Sequence, residues 1–137
     1  MKIILIFVIG FLSLMFARRD CLQQAERDAL GRTERPEKDT LAISPSGHFY
    51  IHFDITGSAA PDLTDSDANG VPDYVDEVGI IADSSRYVLV DIMGYLPEIY
   101  DIDELYDIYI QDRPSGYYGV NYQDEVIVGA SYIVIDN

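Results

Sequence analysis

Gly47-His48-Phe49-Tyr50-Ile51-His52-Phe53-Asp54-Ile55 is the stretch that decides the fold class. Its apolar side chains Phe49, Ile51, Phe53 and Ile55 occupy alternate positions, so they share one face of an extended chain. That is a half-buried strand, and Ser44-Pro45-Ser46-Gly47 ahead of it supplies a turn. Downstream the period changes. From Pro72 to Ile92 the apolar residues Val75, Val78, Ala82, Val88, Leu89 and Ile92 recur near helical spacing, with Pro72 at a favourable helix start and Gly94 and Pro97 as the stop. Gly79 and the pair Ser84-Ser85 weaken the middle of this helix. Leu105 to Gln111 reads as a second strand, Arg113-Pro114-Ser115-Gly116 as a turn, and the Tyr-rich stretch around Gly119 as a loop. Two β-prone runs follow, Glu125 to Val128 and Ser131 to Ile135, broken at Gly129. The expected class is α+β, a mixed sheet with one main helix. About four short strands and one helix leave apolar sheet surface with little to cover it, which suggests an N-terminal part of something longer.

Between strand and helix, Asp65-Ser66-Asp67-Ala68-Asn69-Gly70-Val71-Pro72-Asp73-Tyr74-Val75-Asp76 places oxygen donors at positions 1, 3, 5, 9 and 12 of a twelve-residue loop, with glycine at position 6. This is the ligand spacing of an EF-hand-type calcium loop. Calcium takes six to eight oxygens, so Asp65, Asp67 and Asn69 would wrap one side while Gly70 makes the sharp turn. Val71 would offer its carbonyl, Asp73 a direct or water-mediated contact, and Asp76 the closing carboxylate from the first helical turn. Aspartate at position 12 reaches less far than glutamate and makes the loop similar to dockerin and thrombospondin-type calcium loops; Glu77 could close it in a slightly different register. The competing reading is a solvated acidic turn that caps the helix without a metal. Against it stands the mutual repulsion of four clustered carboxylates. A second loop at Asp101 to Asp107 lacks both the oxygen at position 5 and the glycine at 6, so neither a dockerin nor a paired sensor EF-hand is expected.

Upstream, Arg18 to Asp39 holds six basic and six acidic side chains, with Leu22, Ala25, Ala29 and Leu30 at roughly helical spacing and Gly31 and Pro36 closing the run. Residues 18–43 read as a charged pro-segment or linker, and 44–137 as the folded part. Residues 1–17 have the outline of a secretory signal peptide: Lys2, an apolar run from Ile3 to Phe16, and Ala17 before Arg18-Arg19-Asp20. The run falls short of the roughly 20 residues that cross a bilayer, so no membrane attachment is expected after cleavage. Cys21 follows charged residues, unlike a lipidated cysteine, and as the single cysteine it makes no internal disulfide. Secretion, to the periplasm or the extracellular space, is the expected destination.

From Thr40 to Asn137 only Arg86 and Arg113 oppose eighteen Asp and Glu. Such a body repels phosphate backbones, which argues against nucleic acid as a partner and for cations. His48 and His52 lie about 13 Å apart on a strand, too far to share one metal ion, and read as polar-face residues. No His-Glu-x-x-His, Gly-x-Ser-x-Gly or Cys-His nucleophile pattern occurs, so no catalytic residue is assigned. Asp101, Asp103 and Glu104 read as a solvated turn rather than an acid–base pair.

Ser44 to Phe53, the loop through Asp76, Gly94-Tyr95, Tyr106-Asp107-Ile108-Tyr109-Ile110 and Ala130 to Asn137 occur in an order that resembles the secreted bacterial metallopeptidases of the myxobacterial type. The resemblance covers roughly residues 41–137. It implies a partial zincin-like domain, its first half, with an EF-hand/dockerin-like calcium loop. The zinc-binding helix bearing His-Glu-x-x-His would come after the last strand seen here. Neither zinc ligand nor catalytic residue transfers, and the chain alone is expected to be inactive: a truncated product, an incomplete gene reading or a fragment. In full-length form it would act on a protein or peptide substrate. The alternative is a non-enzymatic, calcium-stabilised extracellular binding or adhesion module.

Overall fold

Two antiparallel strands open the folded part, β1 (Thr40–Ile43) and β2 (Phe49–Phe53), with Thr40 opposite Phe53 and Ile43 opposite Tyr50. In the computed structural model, residues 35–100, 104–113, 118–124 and 127–137 are described. The signal-like run, Cys21 and the helically spaced residues up to Leu30 lie outside them, as do Asp101 and Asp103. The chain divides into units Met1–Arg35 and Pro36–Asn137, and every element below belongs to the second. Helix α1 (Asp73–Arg86) runs into a π-helical segment, Tyr87–Ile92, and then come β3 (Tyr106–Ile110), β4 (Gly119–Gln123) and β5 (Ser131–Ile135). The sheet order is β1-β2-β3-β5-β4. β2, β3 and β5 run parallel, and β1 and β4 are antiparallel edges. The α+β class with a mixed sheet and one main helix is thus what the chain adopts. Among the described residues no helix is long and apolar enough to cross a membrane.

The alternation in β2 works as expected over Phe49, Ile51 and Phe53, all buried, but the strand ends there and Ile55 is exposed. Its end is fixed by polar contacts: Lys38 Nζ donates to Asp54 at 2.8 Å, and the Ile55 amide donates to Asp39 at 3.0 Å. β1 falls at the end of the stretch expected to be linker. Thr-Leu-Ala-Ile is too short and too exposed to show a period, and β2 recruits it through backbone hydrogen bonds. The run from Glu125 to Val128 is not a strand where it is described. Ile127 to Ala130 is a turn closed by the Ala130 amide on the Ile127 carbonyl at 3.0 Å, and Val128 is exposed. The strand lies earlier, at Gly119–Gln123, in what reads as a loop. Only its pairing with β5 and the stack of Tyr122 on Tyr132, 5.4 Å between centroids, reveal it.

The core lies between α1 and one sheet face. Phe49, Ile51 and Phe53 from β2, Tyr106, Ile108 and Ile110 from β3, and Val75 from α1 are buried, with Val71, Tyr74, Val78 and Ala82 packed against them. Burial of each large side chain contributes about 1.5–3 kcal/mol. Val71, Tyr74, Val75, Val78 and Ala82 repeat at three- and four-residue intervals, the spacing of one helix face. Farther along the expected stripe fails: Val88, Leu89 and Ile92 are exposed and the backbone has become π-helical. Gly79, which looked like a weak point, is a contact. A Cβ there would meet Ser44 Cα at 3.3 Å and Pro45 Cδ at 3.4 Å, so a larger residue would push the β1–β2 turn off the helix by a few tenths of an ångström. Asp83, one turn on, holds that turn through Ser44 Oγ at 2.8 Å, the Ser46 amide at 2.7 Å and the Ser46 hydroxyl.

Candidate metal centre

The loop from Asp65 to Asp76 is curled around its own carboxylates. The Asn69 amide donates to Asp65 Oδ1 at 3.2 Å and to Asp67 Oδ1 at 3.1 Å, and the Gly70 amide donates to Asp65 Oδ2 at 3.0 Å. Ala68 and Gly70 have φ of 58° and 92°, which turns successive N–H groups inward. The base is closed by the Asp73 amide on the Thr64 carbonyl at 2.8 Å, and helix α1 begins at that residue. Pro72 is the N-cap residue with φ −59°, and it makes no side-chain cap. Asp73 and Asp76 fill the first turn, where the helix dipole favours negative charge.

An oxygen from each of Asp65, Asp67 and Asp73 lies within 4.8 Å of the others, and all three residues are exposed. Three hard oxygen donors at this separation suit a metal ion, and without one the charges repel. Asp73 is also held by Ser66, whose hydroxyl donates at 2.6 Å and whose amide donates at 3.0 Å. Those bonds, the hydroxyl's first and the amide's second, lower the Asp73 pKa from its ordinary 3.8. The carboxylate is therefore charged over the whole neutral range.

The other expected ligands stand differently. Asp76 is half-buried and joins the cluster through Asn69, whose Nδ2 donates to Asp76 Oδ2 at 2.7 Å and to Asp67 Oδ2 at 3.2 Å. Asn69 Oδ1 accepts from the Val71 amide at 2.7 Å. Val71 is anchored by its side chain against the core. Glu77 is turned away from the loop toward the other side of α1. There it stands with Asp136 near Tyr74, whose hydroxyl donates to the Asp136 carbonyl at 2.7 Å. The Tyr74 pKa is pushed up, first by burial and then by the charges of Asp136 and Glu77.

Two further features were not legible in the sequence. His52 Nε2 and Asp107 Oδ1 lie 2.6 Å apart across β2 and β3, on the sheet face away from α1, and the His52 ring stacks on Tyr109 at 4.4 Å. Tyr109, Tyr132 and Tyr122 continue this aromatic row across the sheet. The polar-face placement of His52 follows from alternation, but its partner depends on a parallel register linking residues 55 positions apart. On the other face a largely apolar groove of about 1440 Å³ runs between α1 and the sheet, lined among others by Val78, Ile81 and Leu89 from the helical stretch and Ile133 and Ile135 from β5. Arg86 and Glu98 pair at 2.7 Å on its wall.

No protein-family model, no curated protein and no solved structure matches this chain.

Proposed function

We propose that the chain is the calcium-binding N-terminal part of a secreted zinc metalloendopeptidase and lacks the catalytic motif itself. The observation that carries the calcium reading is the convergence of Asp65, Asp67 and Asp73 within 4.8 Å at the start of α1. Hard oxygen donors on alternate residues of a tight, glycine-bearing turn favour calcium over the softer transition metals. The ion would neutralise the carboxylates and clasp the first turn of α1 to the loop, so binding would stabilise the fold. In this reading Asp76 and Asn69 complete the shell after the amide of Asn69 turns its oxygen inward.

The peptidase part rests on the resemblance, supported by a parallel β2-α1-β3 unit, an antiparallel strand at each edge and an apolar groove beside α1 large enough for further structure. No described residue is assigned to zinc, which the reading places on a downstream helix. Reading the coding frame beyond Asn137 tests this: a His-Glu-x-x-His helix within about one hundred codons is expected. A stop with no such motif in any frame would remove the peptidase. A calcium-stabilised binding module is the second reading, favoured by the same groove, and it predicts a monomer that melts cooperatively by itself.

A further inference from the structure

We infer that Asn69-Gly70 is a site of self-catalysed deamidation, and that the loop modifies itself when no cation occupies it. Gly70 carries no side chain over its nitrogen, and the space where a Cβ would sit is open. The hydrogen bond from the Val71 amide to Asn69 Oδ1, 2.7 Å long, closes a ring that contains the Gly70 nitrogen, so the side-chain carbonyl is folded back over that peptide bond. The Gly70 N–H points at Asp65 Oδ2, 3.0 Å away. One carboxylate is thus placed to accept the proton of the attacking nitrogen, and one backbone N–H to stabilise the oxygen on which charge develops.

The step balances with water alone. Asp65 takes the Gly70 proton as the nitrogen forms a bond to Asn69 Cγ, and the electron pair moves onto Oδ1 against the Val71 N–H. Collapse breaks the Cγ–Nδ2 bond, and ammonia leaves with the proton returned by Asp65 through solvent. Water then opens the succinimide at one carbonyl to give aspartate or at the other to give isoaspartate. Aspartate adds a carboxylate to the cluster, whereas isoaspartate lengthens the backbone by one methylene and displaces the residues after it. A bound cation would occupy Asp65 and hold the Asn69 oxygen, removing both the base and the freedom of the amide; this arm rests on the calcium reading above.

The test follows Asn69 by mass spectrometry and isoaspartate labelling in the whole protein, kept in chelator, in calcium, and in denaturant with chelator as the reference for an unstructured chain. Native protein in chelator is expected to lose Asn69 about tenfold faster than denatured protein, and Asp65→Ser to remove that excess. A native rate at or below the denatured rate overturns the inference, whatever calcium does. Equal excess in Asp65→Ser, with circular dichroism unchanged, overturns the role of the carboxylate. Rapid loss that calcium does not slow leaves the modification site standing and counts against the calcium reading instead.

Discussion

The two ends of the long helical stretch are built on opposite principles. From Asp73 to Asp83 every turn is held: the loop closes on the Asp73 amide, Val75 and Gly79 are buried, and Asp83 ties the β1–β2 turn by three hydrogen bonds. From Tyr87 to Ile92 the backbone is π-helical, and Tyr87, Val88, Leu89, Ile92 and the following Met93 are all exposed. The entry is tied down by its own hydrogen bonds, whereas the exit is an apolar surface with the Arg86–Glu98 pair as a polar tether. The difference teaches where the fold gets its stability. Propensity alone supports a helix weakly, and the end that is packed and hydrogen-bonded is the end that is regular.

That contrast breaks if substitutions at the two ends cost the same. Val75→Ala, at 1 % exposure, should destabilise by about 2 kcal/mol or more in chemical denaturation, while Leu89→Ala should fall within about 0.5 kcal/mol. Equal losses would show that the exit is packed in solution. Asp83→Ala removes the clasp on Ser44 and Ser46 and should cost about 1–2 kcal/mol, a loss that Ser46→Ala reproduces only in part.

The tether at the exit is smaller and sensitive to pH. Burial, the largest single influence on Glu98, raises its pKa, but its own backbone amide and the Arg86 guanidinium together bring it below the ordinary 4.5. A depressed carboxyl contributes stability that is complete above the unfolded value and is lost as pH falls through the folded one. The Arg86–Glu98 contribution, about 1 kcal/mol at this partial burial, should therefore persist at neutral pH and fade below pH 4.5. Glu98→Gln should remove it at neutral pH and flatten that acid limb of the stability profile.

Legibility in the sequence followed the range of the interaction. β2 and the start of α1 were readable because alternation, Pro72 and the spacing of Asp65, Asp67 and Asp73 are local patterns. β1 and β4 were not, since Thr40–Ile43 carries no period and Gly119–Gln123 is stabilised by β5, whose partner residues lie 8 to 16 positions away. Ile127 and Val128 show the converse: β-prone residues form a turn beside a strand, β5, that is already paired on both sides. At the candidate site the carboxylates were legible and their fine arrangement was not. Ser66 holds Asp73, Asn69 links Asp67 with Asp76, and Glu77 faces the groove because one step along a helix turns a side chain by about 100°.

A calcium clasp at the entry to α1, as proposed, would respond to both acid and mutation. Because Ser66 lowers the Asp73 pKa, its carboxylate stays available as a ligand down to below pH 3.8, so calcium binding should weaken only as the pH falls through the carboxylate range. The most direct measurement is the thermal midpoint of the wild-type chain and of Asp67→Ala, each with chelator and with millimolar calcium. Calcium at about one hundred times its dissociation constant should stabilise the wild type by about 2.7 kcal/mol, seen as a clear rise in midpoint, and leave Asp67→Ala nearly unmoved. A wild-type midpoint that is the same in calcium and in chelator would contradict the account.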